Sequence, residues 1–152
     1  MQKIQSFTVN HNTLKRGVYI SRIDGDVITY DIRAKLPNGG DYLANPAMHT
    51  IEHIFATFVR NSEYKNSVIY FGPMGCRTGF YLLLRDNVSY ESALNIIKSA
   101  FEFIADFSGE IPGNKKIECG NYLEHDLQGA KKEAAEMCAV LSNWTVADLE
   151  YK

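Results

Sequence analysis

The residues best suited to chemistry are gathered in His49-Thr50-Ile51-Glu52-His53. On a helix, His49 and His53 stand four residues apart, so their rings lie one turn above the other on a single face. Two imidazoles so placed can grip one metal ion, with Glu52 beside it and free to move protons. His-x-x-Glu-His is the reverse of the His-Glu-x-x-His metal motif. The chain has only 4 histidines. Two of them four apart beside a glutamate make chance the weaker explanation.

A catalytic metal takes three protein ligands and keeps one open position. Cys119 is the most economical third ligand, because a thiolate in a glycine-flanked turn can approach a metal closely. His125, Glu124 and Cys76 are rivals on residue type, and spacing does not choose among them. Cys76 sits in Gly72-Pro73-Met74-Gly75-Cys76-Arg77-Thr78-Gly79. Flanking glycines leave the thiol open to approach, and Arg77 favours its thiolate. A cysteine in a tight strand-to-strand connection, with glycine present only for the turn, explains the same residues equally well. Arg33, at the end of a strand, can bind an anionic group through two parallel hydrogen bonds, although such an arginine is more often a solvated edge residue. His11 reads more simply as a polar surface residue.

These residues need elements to position them. Asn45 as N-cap and Pro46 at the first helical position open a helix to about Asn61. Met48, Ile51, Phe55, Phe58 and Val59 supply its apolar spacing. Ile4 to Val9 suggests a strand or an extended arm. Val18 to Ile23 and Val27 to Ile32 are β-rich runs around Asp24-Gly25-Asp26, a hairpin signature. Val68 to Phe71 and Phe80 to Leu84 are further strands, separated by the Gly72-Pro73 break. Ser89 caps a second helix to about Phe107, and Asp126 a third from Leu127 to about Asn143. Strands first and helices interleaved later give the expected class: an α+β fold, helices packed on a mostly antiparallel sheet, in one domain spanning residues 1–152.

Composition narrows the function classes. The chain has 152 residues, 45% of them hydrophobic, and a net charge of -2, enough for a core and without the basic excess that nucleic-acid binding favours. Met1 to Ser6 carries no apolar leader core, and no run approaches the length of a membrane span. Its 3 cysteines point to thiols used as ligands or reagents rather than as disulfides. Cys138, in a helical stretch, is most simply a small apolar residue. Together these features lead us to expect a cytoplasmic protein with neither nucleic-acid nor membrane partners.

Five motifs in order resemble the S-ribosylhomocysteine lyase (LuxS) family over nearly the whole chain. They are Ser6-Phe7 with His11; Tyr30-Asp31-Ile32-Arg33 with Pro37-Asn38; His49-Thr50-Ile51-Glu52-His53; Pro73-Met74-Gly75-Cys76-Arg77-Thr78-Gly79-Phe80-Tyr81; and Glu118-Cys119-Gly120 with His125-Asp126-Leu127 and Gly129-Ala130-Lys131. One stretch departs: Tyr70-Phe71-Gly72 stands where many members carry Asp-Ile-Ser. The resemblance implies a homodimer with active sites at the interface. It also implies one divalent metal per subunit, iron(II) or zinc, on His49, His53 and Cys119. The implied reaction cleaves S-ribosylhomocysteine to homocysteine and 4,5-dihydroxy-2,3-pentanedione, the autoinducer precursor. Glu52 and Cys76 are the implied proton carriers, and Ser6, His11 and Arg33 the implied substrate-binding residues. Two other classes fit the metal motif alone. A peptidase of the inverted-motif kind would tolerate loss of Cys76, and a metal-stabilised binding domain would close its site with four ligands.

Overall fold

The computed structural model describes residues 1–152. Strands β1 (Gly17–Asp24), β2 (Val27–Arg33), β3 (Val68–Pro73) and β4 (Gly79–Arg85) form one antiparallel sheet in the order β1-β2-β4-β3. Helices α1 (Asn45–Arg60), α2 (Tyr90–Ala105) and α3 (Leu127–Leu141) complete the fold. The α+β class expected from the sequence is the one observed. Gly25, at φ 59°, makes the tight β1–β2 turn, a conformation glycine adopts without steric cost.

One face of the sheet makes the core. Ile28, Tyr30 and Ile32 of β2 and Phe80, Leu82 and Leu84 of β4 alternate inward, the period-two pattern of a strand. Ile51, Ile54, Phe55 and Val59 of α1 meet them, and Phe55 stacks on Phe71 with ring centroids 3.9 Å apart. Burial of that apolar stripe fixes the rotation of α1, and so decides where its histidine face looks. The other face of the sheet carries Tyr19, Asp31, Arg33 and Tyr81. The end of the chain covers part of it: Trp144 Nε1 donates to Val18 O (2.9 Å) and Tyr151 stacks on Tyr19 (5.0 Å).

Several boundaries differ from the sequence reading, each for a local reason. Ile4 to Val9 is no strand; Gln5–Phe7 is a short 3-10 turn closed by Phe7 N–H on Ile4 O and Thr8 N–H on Gln5 O. Ala44, not Asn45, precedes α1, and no side chain caps that end; Pro46 still occupies the first turn. The β3 strand runs through Gly72 to Pro73. It lies at the sheet edge, where a missing N–H leaves no ladder bond unmade. Ser89 and Asp126 do cap α2 and α3, accepting from Ser92 N–H and Gly129 N–H.

Candidate metal centre and thiol cavity

Helix α1 turns His49 and His53 toward the irregular segment between α2 and α3. That segment wraps over them and is held by the ring nitrogens themselves. His49 Nδ1 lies 2.7 Å from Glu124 O, and His53 Nδ1 lies 2.8 Å from Pro112 O. A carbonyl only accepts, so each Nδ1 carries the proton and each Nε2 presents a lone pair. Both Nε2 atoms face Cys119 Sγ, at 3.4 and 3.9 Å. His49, His53, Cys119 and His125 offer ligand atoms that all lie within 4.8 Å of one another.

The rival ligands sort themselves by their hydrogen bonds. Glu124 gives the site its backbone carbonyl, while its carboxylate accepts from Asn121 Nδ2. Cys76 lies outside the cluster. His125 stacks on His49 with ring centroids 4.0 Å apart, and its Nδ1 lies 2.9 Å from Thr50 Oγ1. That oxygen already accepts from Asp126 N–H (3.0 Å), and its own proton is satisfied by passing to His125 Nδ1. The buried His125 Nε2 has no hydrogen-bond partner and lies within the cluster. Burial, followed by the neighbouring His49 and His53 charges, pushes the His125 pKa down to about 4. The ring is therefore neutral at neutral pH. Two imidazole lone pairs, one thiol and carbonyl-fixed tautomers are what a divalent metal with an open position requires, so the donor set fits one. The sequence reading named His125 as a candidate ligand, and its ring lies in the cluster with the other three.

The second constellation lies at the ends of β2, β3 and β4. A cavity of about 430 Å³ is lined by 13 residues, among them Ser6, His11, Arg33 and Cys76. The fold thus brings all four together. His11 Nδ1 sits 2.9 Å from Val9 O, so its Nε2 is left as an acceptor. No member of the metal cluster lines this cavity. Glu52 is half-buried on α1 beside His53.

Three sequence readings need correction at this end. Arg33 is no solvated edge residue. Strand β2 is internal to the sheet, and the Arg33 and Asp31 side chains are 3% and 2% exposed. Arg33 Nε and Nη2 donate to the two Asp31 oxygens at 3.1 and 2.7 Å, and Tyr151 Oη donates to Asp31 Oδ2 at 2.7 Å. Burial works against the Arg33 charge, but Asp31 outweighs it and holds the guanidinium above its ordinary pKa. Arg77 does not turn to the thiol: its Nη1 donates to Leu43 O (3.2 Å), and its guanidinium lies 5.8 Å from the Tyr42 ring centre. Nor does glycine make the turn, because Arg77 itself takes the left-handed conformation at φ 59°. Tyr70, where the family's acidic residue was expected, is 53% exposed on the edge strand, its hydroxyl lying where a Cβ on Gly72 would be.

Comparison with known proteins agrees with this geometry. Residues 4–147 match the family described as S-ribosylhomocysteinase (LuxS). The chain is 46% identical over 156 residues to the S-ribosylhomocysteine lyase of Clostridium acetobutylicum, covering 99% of both. It is 47% identical over 157 residues to that of Desulfotalea psychrophila, again covering 99% of each. Against the S-ribosylhomocysteine lyase of Porphyromonas gingivalis the identity is 46% over 157 residues, with the same coverage.

Proposed function

We propose, from the premise that the chain belongs to the S-ribosylhomocysteinase (LuxS) family, that it is a metal-dependent carbon-sulfur lyase. It cleaves the thioether of S-ribosylhomocysteine to homocysteine and 4,5-dihydroxy-2,3-pentanedione. The observation that carries this reading is the convergence of the His49 and His53 Nε2 lone pairs on Cys119 Sγ. These three residues hold one divalent metal, iron(II) or zinc, whose chemistry when bound is Lewis-acid stabilisation of negative charge developing on the sugar oxygens.

The chain's own groups carry the protons. The Cys76 thiolate takes a proton from a sugar carbon and returns it to the adjacent one. The electron pair stays on the sugar as an enediolate, so the carbonyl moves along the chain. Glu52 moves protons at the oxygens and, in the last step, takes the proton from the carbon between the carbonyl and the C–S carbon; that electron pair forms a C=C bond as the C–S bond breaks and homocysteine leaves as its thiolate. Ser6, His11 and Arg33 bind the substrate in the cavity around Cys76. Three free thiols suit a reducing compartment, the cytoplasm.

The working site is formed between two copies of the chain. Supporting this, the cavity that contains Cys76 is lined by none of the metal ligands of its own chain. Large apolar residues are exposed beside both: Phe7 (63%) and Tyr42 at the cavity, Ile117 (94%) and Leu123 (79%) near Cys119. Joining one copy's cluster to the other's cavity covers this surface.

Thiol release from S-ribosylhomocysteine by the anaerobic, iron-loaded protein tests both statements. Cys76→Ala and Cys119→Ala are each expected to abolish it. If subunits from both variants are mixed and allowed to exchange, half the dimers are heterodimers. Each heterodimer then has one intact site of two, and activity returns to about a quarter of the parent's. Activity in the parent without recovery on mixing would place the whole site in one chain. No thiol release from folded, metal-replete parent would overturn the lyase itself.

A further inference from the structure

A buried hydrogen-bonded chain ends on the sulfur of Cys76, and none of the roles above uses its middle member. Thr78 is 2% exposed. Its Oγ1 lies 2.7 Å from Arg33 Nη1 and 3.1 Å from Cys76 Sγ. A guanidinium only donates, so Thr78 Oγ1 accepts from Arg33. Arg33 cannot turn away, because both oxygens of Asp31 hold its other nitrogens and Tyr151 Oη holds Asp31. Thr78 is fixed by its backbone as well. Its carbonyl accepts from Ala34 N–H and Lys35 N–H at 2.8 and 2.9 Å, tying the β3–β4 connection to the end of β2. The next residue, Gly79, packs so closely on Ile32 O that no Cβ fits there. The hydroxyl oxygen is therefore held in place, with Arg33 on one side and Cys76 on the other.

The two protonation states of Cys76 meet this hydroxyl differently. When the sulfur is a thiolate it accepts the Thr78 hydroxyl proton, and every polar group in the chain from Tyr151 to Cys76 has a partner. When it is a thiol, the exposed sulfur accepts the same proton only weakly, or donates its own into the Thr78 oxygen. A hydrogen bond to a charged acceptor is roughly twice as strong as one between neutral groups, so the hydroxyl holds the thiolate more firmly than the thiol. The Arg33 cation, by pulling electron density from the oxygen, makes the hydroxyl a better donor.

We propose that Thr78 is a positioning residue for Cys76: clamped by Arg33, it donates its hydroxyl proton to the thiolate, fixing the sulfur at the cavity wall and favouring its charged form. The sulfur then gains a proton from substrate carbon while Thr78 keeps its own. Arg33 accordingly acts on the chemistry through Thr78 as well as at the substrate. The inference rests on the reading of Cys76 as proton carrier, but its test does not.

The test is the pH profile of Cys76 alkylation by iodoacetamide, followed by peptide mass spectrometry so that Cys119 and Cys138 are scored separately. Metal-loaded parent, Thr78→Val and Thr78→Ser are compared. Thr78→Val keeps the branched shape and loses the hydroxyl; its alkylation midpoint is expected to rise by about one pH unit, equivalent to roughly 10-fold less thiolate in the range below it. Thr78→Ser restores the parent profile. In parallel, kcat for thiol release falls in Thr78→Val with little change in KM. An unshifted midpoint in Thr78→Val overturns the proposal. So does an equal shift in Thr78→Ser, which would assign the effect to packing. If Thr78→Val does not fold, Thr78→Ala, with less bulk against Arg33, takes its place under the same readings. A shifted midpoint with unchanged kcat supports the thiolate contact and instead overturns the reading of Cys76 as proton carrier.

Discussion

The histidine-cysteine cluster and the thiol cavity are assembled from different materials. Around Cys119 the backbone is irregular, and the ligands are aimed by side chain-to-carbonyl bonds across 59 and 75 residues of sequence, from His53 to Pro112 and from His49 to Glu124. Cys76 lies in the short connection between paired strands β3 and β4, and the aiming groups are a buried ion pair and a buried hydroxyl. The first arrangement gains rigidity from whatever the ligands bind; the second is rigid beforehand. A metal that binds only the folded chain adds its binding free energy to stability. The paired strands need no such help.

The largest expected effect follows from breaking the first arrangement. His53→Ala removes one imidazole of the proposed ligand set. Metal content is expected to fall well below one per chain, and thiol release by more than about 100-fold, beyond the ~10–100-fold typical of losing an outer-shell partner. Metal analysis and a thiol assay measure both. Chelation of the parent reproduces the activity loss and lowers the unfolding temperature.

Breaking the second arrangement is expected to act on stability. Asp31→Asn leaves the 3%-exposed Arg33 charge without its carboxylate, and removing one partner of a buried pair costs about 3–5 kcal/mol. Urea unfolding of the metal-loaded protein checks it. The control is Asp26→Asn at the exposed Arg85 pair, whose side chains are 47% and 62% accessible, where the change stays within about 1 kcal/mol. Equal costs at the two pairs would mean that the sheet end is wetter than its geometry indicates.

The same contrast explains what could be read in the sequence. His49 and His53 were legible because helical periodicity places residues four apart on one face. The strands of the sheet were legible for the matching reason, alternation between two faces, and the caps at Ser89 and Asp126 because their chemistry is local. Cys119 was not derivable from spacing: it reaches the histidines across 66 and 70 residues through backbone with no period. Only its place in a family motif identified it. Arg33 was misjudged from its residues because exposure depends on strand order, and nothing local shows that β2 lies inside the sheet under a tail that brings Tyr151 to Asp31. Thr78 gave no signal beyond its place two residues after Cys76. Its role depends on Arg33, 45 residues earlier.

The smallest expected effect is the one that best separates the two regions. Gly113 adopts φ +71°, and a Cβ there would sit 3.1 Å from His53 Nδ1, against the atom that donates to Pro112 O. Gly113→Ala therefore acts twice on the irregular segment. An L-residue in the left-handed region costs about 1–2 kcal/mol, and the methyl pushes on the bond that fixes the His53 tautomer. Metal affinity, measured by competition with a chelator, is expected to weaken by about 10-fold, the lower end of the range for disturbing an outer-shell contact. The Cys76 alkylation profile is expected to change far less, because paired strands hold that end without reference to Gly113. If the profile moved as much as the affinity, the segment over α1 would also be shaping the thiol cavity, and the division between a region organised by its metal and one organised by its sheet would have to be given up.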